Sequence, residues 1–406
     1  MPIGVARSEP MWQTHVMRPH YDVVIVGAGV HGLATAYYLT SMGVKSVAVL
    51  DKGYIGGGNA GRNTAILRAN YVTPEGIRFY AESLRLYKDL SQQLDYNLLM
   101  SHSGRLDLGH TDTALSALRQ RAQTNVVLGV DSQMIDPGEV KDLEPAIDLR
   151  KGKHLPIMGA LYHPTAAVIR HDAVVWAYAR GADRGGAHVF PFVEVTGFEK
   201  DEGKVSAVIT SQGRIGCGAV LSATAGWSST IASMVGVKLP VTTFPLQAFV
   251  TEPLKPFMKL SVSSANLHVY VWQTVRGEMV IGGSVDPYTS YRQVATVHML
   301  ETLSAHALEL FPALENVRVL RQWAGICDMT PDYAPIMSRL TGHENFFISA
   351  GWGTWGFKAG PAGGRCMAEF IASGVVPGLI SPFYLERFAD GRLVNEKAAA
   401  PAAALH

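Results

Sequence analysis

Gly27, Gly29 and Gly32 are spaced as G-x-G-x-x-G, and Asp51 follows the last of them by 19 residues. That set is suited to gripping a pyrophosphate. The first glycine permits a tight turn, the second lets backbone approach the phosphates, and the third lets helix and strand pack closely. The helix N-terminus behind them offers unpaired N–H groups and a positive dipole end. Asp51 is placed to accept from a ribose hydroxyl. A second small-residue run, GGGNAGRN at 56–63, brings Gly58, Asn59, Arg62 and Asn63 after the second strand, where a flavin dinucleotide is wrapped, and it favours FAD over NAD. A third run, with Gly351, Gly353, Gly356 and Gly360, precedes a helix whose N-terminus suits the negatively charged edge of a reduced flavin.

Other residues read two ways. Tyr270 and Gln273 lie on the alternating run HVYVWQT and either line a substrate cavity or pack in a sheet. His171 reads as a residue preceding a helix, with Asp172 as the cap of DAVVWAYAR. Trp352 and Trp355 flank the last glycine loop as walls of a pocket or as core.

The elements that must hold these residues begin with a buried strand at 21–26, a helix ending at Gly43 and a second strand at 44–50, together one βαβ unit. Residues 76–95 repeat apolar positions at helical spacing, whereas 100–155 is more polar and less regular. A helix starts near Asp172, and strands fall at 188–196, 204–210 and 219–222. Residues 245–285 alternate as antiparallel sheet, and the C-terminal block reads strand, glycine loop, helix.

Composition narrows the classes. The chain has 406 residues, 48% hydrophobic and 17% charged, with 35 basic against 34 acidic residues. Near-neutrality argues against nucleic acid as partner. No apolar run is long enough to span a membrane. The N-terminus has no apolar signal core, and the three cysteines show no metal-ligand spacing, so a reduced, cytoplasmic protein without a metal site is expected.

Together, VVIVGAGVHGLATAYYL, GGGNAGRNTAILRANY, IRHDAVVWAYARGA, RQWAGICDMTPDYAPI and GWGTWGFKAGPAGG resemble the glycine/sarcosine/D-amino-acid oxidase superfamily, and within it the β subunits of heterotetrameric sarcosine oxidases. The resemblance covers nearly all of 20–405. It implies an α/β fold in which a Rossmann-type FAD-binding domain (21–99, 156–240, 321–390) interleaves with an antiparallel substrate domain (100–155, 241–320). An N-terminal arm (1–20) and a C-terminal tail (391–406) flank them.

It further implies noncovalent FAD on the fingerprint glycines and Asp51, and FMN attached covalently through its 8α-methyl to His171 of the RHDAV stretch. The expected partners are a larger α subunit carrying NAD and a folate-linked site, plus two small subunits. The implied reaction is oxidative demethylation of a secondary amine, foremost sarcosine, with electrons passing from FAD to FMN. Glycine and formaldehyde, or methylene-tetrahydrofolate, are the products. Arg68 is placed by the match to hold the substrate carboxylate, and Lys358 to grip its second oxygen or sit near the flavin edge. Tyr270 completes the expected catalytic set.

Three departures stand out. Asp51 replaces a frequent Glu. Met279, Val280 and Ile281 offer no lysine where monomeric relatives hold one over the flavin. Cys327, close to the cysteine that anchors flavin in those monomers, is a rival attachment point to His171. The rival activities are those of the similar subunits of N-methylglutamate dehydrogenase and dye-linked proline dehydrogenase. A non-catalytic FAD-holding electron relay is the rival from another class.

Overall fold

A computed structural model describes residues 10–150 and 155–397. Parts of the expected arm and tail, 1–9 and 398–406, lie outside the described residues.

The apolar run at 21–26 forms the strand His20–Val26, flanked by Val47–Asp51 and Gly213–Ser222, both parallel to it. His188–Pro191 and Phe346–Ala350 extend the parallel core on either side of an eight-stranded sheet. Val23 and Ile25 face a cluster built with the helices Val30–Ser41, His171–Arg184 and Gly360–Ser373, while Val24 and Val26 face a second cluster on the opposite side. Both faces are covered, so the strand needs no polar alternation.

Several local expectations shift. The second strand begins at Val47 rather than 44. The expected strand at 188–196 is two, His188–Pro191 and Val195–Asp201, because Phe192 adopts a φ of 61° where its amide and that of Val193 donate to Gly53 and Asp51 carbonyls. Asp172 does not cap its helix. The helix starts at His171 with Arg170 as cap residue, and the Asp172 carboxylate accepts from Arg170 at 2.6 and 3.0 Å instead.

The alternating segments assemble a second eight-stranded sheet, largely antiparallel, in the order Val319–Met329, Thr242–Pro253, Glu278–Val285, Val269–Gln273, Ser261–Ser264, Arg105–Gly109, Gly159–His163, Gln133–Ile135. One join, Ser261–Ser264 with Arg105–Gly109, is parallel. The helix Val297–Leu310, unread in the sequence, packs on one face with Met299, Leu303 and Ala307. Residues 100–150 are also more regular than their polarity suggests. Thr111 caps the helix Asp112–Val127, and an Asp136–Glu139 capping box starts Pro137–Leu143.

The boundaries expected at 156 and 321 run through this sheet, since Gly159–His163 and Val319–Met329 are strands of it. The first residues of the expected arm that are described are tied down. Trp12 packs on Trp176, and His15 contacts Asp183 and Val189. Between the sheets, Ile66–Leu67 pairs with Ala167–Val168, which delivers Arg68 to the region where the sheets meet.

Candidate functional site

A cavity of about 840 Å³ opens at the carboxyl ends of the first sheet's parallel strands, lined by Val26, Leu50, Asp51 and Ala223 on one side and by residues of the second sheet on the other. Ligands of open α/β sheets bind at such strand ends.

The fingerprint glycines divide the work. Gly27 sits at φ 111°, and a Cβ there would lie 2.4 Å from the Ala223 carbonyl oxygen. A Cβ on Gly32 would lie 1.9 Å from the Gly27 carbonyl oxygen. Gly29 is different: nothing lies within 4 Å of its Cβ position, and it lines the cavity as the cap residue of Val30–Ser41, with no side chain to bond the helix's first amides. The helix start therefore presents unpaired amides to open space, the shape and charge a diphosphate needs. Asp51 accepts from the amides of Ala28 and Gly53, each at 2.8 Å, and lines the same cavity.

In the second glycine run, Gly58, Asn59, Arg62 and Asn63 all line the cavity, but the side chains of the last three chiefly hold the loop in place. Asn59 donates to and accepts from the backbone of Ile326, Arg62 donates to the Gly57 and Gly58 carbonyls, and Asn63 accepts from Ala65. From the C-terminal run, Gly353, Gly356 and Lys358 line the cavity with Trp352. Gly351, at φ 71°, lies behind the wall and donates to Asp328, and Gly32 is likewise behind it. Trp355 is core, stacked on Tyr71 with centroids 4.8 Å apart.

Arg68 and Lys358 meet in this wall. The Arg68 guanidinium lies 4.2 Å from the Tyr71 ring centroid and donates to the Asn70 carbonyl at 2.9 Å. Burial, and then the neighbouring Arg68 and Arg105, hold the Lys358 ammonium well below its ordinary pKa. Tyr270 lines the cavity, accepts from Thr64 at 3.2 Å, and is pushed by burial up to about 12. Gln273 instead ties the segment before Ser261–Ser264 to its own hairpin, accepting from the Phe257 and Met258 amides and donating to the Gly277 carbonyl.

His171 lies outside the cavity, and its ring makes no hydrogen bond among the described residues. Burial lowers its pKa and favours the neutral imidazole. Cys327 is in the cavity wall, 3% exposed, where burial pushes its thiol up and keeps it protonated.

Sequence reading missed several residues. His31 lines the cavity, stacks on Trp352 at 4.1 Å and reaches the Gly356 carbonyl at 2.7 Å, joining the two glycine loops. Burial depresses it to about 4, so it is neutral. Asp328 accepts from the Gly351 amide at 2.7 Å and fixes the C-terminal loop. Arg105, Asp107 and Arg121 form a buried cluster in the wall. Only R-x-D in RLDLG, which sets two charges on one strand face, hinted at it.

The signature of the FAD dependent oxidoreductase family, DAO, matches residues 22–370, and the chain belongs to that family. It is an oxidoreductase acting on amino groups, with a flavin dinucleotide as cofactor. Over 396 residues it is 43% identical to the sarcosine oxidase subunit beta of Arthrobacter sp, covering 97% of this chain and 98% of that one. The Rhizobium meliloti subunit beta is also 43% identical, over 96% of this chain and 93% of its own. Among solved structures, L-proline dehydrogenase from P. horikoshii superposes with a TM-score of 0.87 at 28% identity, covering 93% of this chain and all of that one. Glycine oxidase from Geobacillus kaustophilus, at 22% identity and TM-score 0.83, shares the fold. Among the described residues no helix is long and apolar enough to cross a membrane, and no His, Cys, Asp or Glu group has the arrangement of a metal site.

Proposed function

We propose that this chain oxidatively demethylates a small secondary amine of the N-methyl amino acid class, sarcosine being the simplest, as one subunit of a multi-subunit complex. The observation that carries this is the placement of Arg68 and Lys358 in the wall of the cavity into which Gly29 and Gly353 open.

Bound FAD supplies a ring that accepts the hydride equivalent of the amine's carbon. The chain supplies the rest. Arg68 holds the carboxylate in a planar, charge-assisted grip, and Lys358 takes its second oxygen. The same cations disfavour an ammonium beside them, so the amine is held neutral with its lone pair available. His31, neutral and stacked on Trp352, keeps the two glycine loops in register.

Covalent FMN is assigned to His171, whose ring is outside the cavity and has a nitrogen free to bond, rather than to Cys327, whose protonated thiol is a poor nucleophile. The partners in this reading are a larger α subunit with NAD and folate-linked sites and two small subunits, and the setting is the cytoplasm. Support comes from the name of the 43% identical relatives and from three cysteines left unpaired. The interleaved domain division of the sequence reading is kept, with the strands at 159–163 and 319–329 moved to the substrate domain.

A second reading, dehydrogenation of proline or N-methylglutamate with an acceptor other than oxygen, draws on the apolar Met279, Val280 and Ile281 and on the likeness to L-proline dehydrogenase. Turnover of the assembled complex on sarcosine, proline and N-methylglutamate, with oxygen or an artificial acceptor, separates the two. If no secondary amine bleaches the FAD band anaerobically, the chain is a relay rather than a catalyst. Denaturing mass analysis is expected to find an FMN-sized adduct on the His171 peptide, and an adduct on Cys327 overturns that assignment.

A further inference from the structure

Arg68 leads a short stretch of chain, 68–71, that is fastened residue by residue to the second sheet and its helix Asp112–Val127. The Ala69 amide donates to His163 Nε2 at 3.2 Å, Arg121 Nε donates to the Asn70 carbonyl at 2.7 Å, and Asn125 Nδ2 donates to the Tyr71 carbonyl at 2.9 Å. Burial depresses His163 to about 4, so its imidazole is neutral. Its Nδ1 donates to the Asp131 carbonyl at 2.6 Å, which leaves Nε2 as the acceptor for Ala69.

Within this stretch the Asn70 side chain is used at both ends. It is fully buried, its Nδ2 donates to Asp107 Oδ2 at 2.8 Å, and its Oδ1 accepts from Arg68 Nη1 at 3.1 Å. The direction of the amide is forced. Burial alone would raise the Asp107 pKa, but Arg105, Arg121 and Arg68 outweigh burial and hold it well below the usual carboxylate range. Asp107 is therefore ionised and can only accept. Turning the Asn70 amide over would set its oxygen against that carboxylate and its N–H groups against a guanidinium, which only donates. Asp107 is itself fixed, accepting from Arg105 Nε at 2.9 Å, Arg121 Nη2 at 3.0 Å and Ser263 Oγ at 2.6 Å.

Resting on the amine-oxidation reading, we propose that Asn70 is a positioning residue for the substrate carboxylate: locked by Asp107, it sets the orientation of the Arg68 fork before the substrate arrives. The Asn70 carbonyl accepts from the same Arg68 Nη1 at 2.9 Å, so both oxygens of one residue hold one corner of the guanidinium, whose carbon lies 4.2 Å from the Tyr71 ring centroid. Arg68 lines the cavity and Asn70 does not, so Asn70 acts on a ligand through Arg68. A fork already ordered loses little side-chain entropy when it takes a carboxylate, and the grip is tighter by that amount.

The test titrates methylthioacetate, which carries the carboxylate of sarcosine with sulfur in place of the amine nitrogen, into the FAD-loaded complex while the flavin absorption band is followed. Asn70→Ala, in which Asp107 keeps Arg105, Arg121 and Ser263, is expected to weaken binding about tenfold and to leave FAD affinity within about twofold. Arg68→Lys keeps the charge and loses the fork, and is also expected to weaken methylthioacetate. With Lys at position 68 there is no fork to orient, so adding Asn70→Ala is expected to change affinity by less than about twofold. An unchanged affinity in Asn70→Ala, an equal loss with Arg or Lys at 68, or a matching loss of FAD overturns the proposal, the last two because they report a general loosening of the wall. If Arg68→Lys weakens methylthioacetate while Asn70→Ala does not, only the positioning inference fails. If Arg68→Lys leaves methylthioacetate affinity intact, the carboxylate grip of the amine-oxidation reading fails and takes this one with it.

Discussion

Burial pushes the Asp328 carboxyl from 3.8 up to about 7, against the opposing hydrogen bonds of the backbone amides at 351–353. The folded chain thus keeps this proton to a higher pH than the unfolded chain does. Folding takes up a proton between the two values, so this group's contribution to stability falls as pH rises from about 4 to about 7. Asp328→Asn removes the titration. The variant is expected to gain on the unmodified chain across that window, by a few kcal/mol at most. Urea unfolding of both at about pH 4.5 and about pH 7.5 measures the gain, and an equal difference at the two pH values refutes it. Sequence gave no sign of this residue. In ICDMTPD its carboxylate looks like part of a polar loop, because the amides that surround it come from residues more than twenty positions away. Arg387 and Asp332, a fully buried bidentate pair at 2.8 and 2.9 Å, were hidden for the same reason.

At the scale of the element, the strand–turn–helix at 20–41 was legible because everything that shapes it is local. Gly27, Gly29 and Gly32 answer to their own neighbours in the chain and to one adjoining strand. Paired substitutions separate their roles. Gly32→Ala drives a methyl into the Gly27 carbonyl and the Ile25 side chain, at 1.9 and 3.2 Å, and is expected to destabilise the FAD-free chain by about 3 kcal/mol. Gly29→Ala meets no protein atom within 4 Å. It is expected to cost about 1 kcal/mol or less as a poorer helix cap, yet to weaken FAD binding about tenfold or more by filling the phosphate space. Urea unfolding of the FAD-free variants with fluorescence titration of FAD reads both. Full FAD affinity in Gly29→Ala removes the diphosphate from this turn. Elements set by distant partners were read less well. The break at Phe192 depends on the Gly53 and Asp51 carbonyls, and Asp172 was drawn from its cap by Arg170.

Across the whole molecule, the cavity takes walls from both sheets and from both glycine-rich ends of the chain, as His31 bonding to Gly356 shows. The three glycine runs announced that assembly in the sequence. The cation cluster did not, since Arg105 and Arg121 join only when a strand and a helix fold over the loop after Arg68. Joint walls make cofactor and fold stability one quantity. At a free FAD concentration of about one hundred times its Kd, the unfolding free energy is expected to rise by about 2.7 kcal/mol, provided the unfolded chain does not bind. The gain should reach both sheets, because Tyr270 and Arg105 of the second line the cavity as directly as Val26 of the first. Hydrogen exchange with and without FAD resolves this strand by strand. Added protection in Arg105–Gly109 and Val269–Gln273 matching that in His20–Val26 is the expected result. Protection confined to the first sheet would mean that the second closes on the substrate alone, and that the two-walled cavity does not hold the cofactor as a unit.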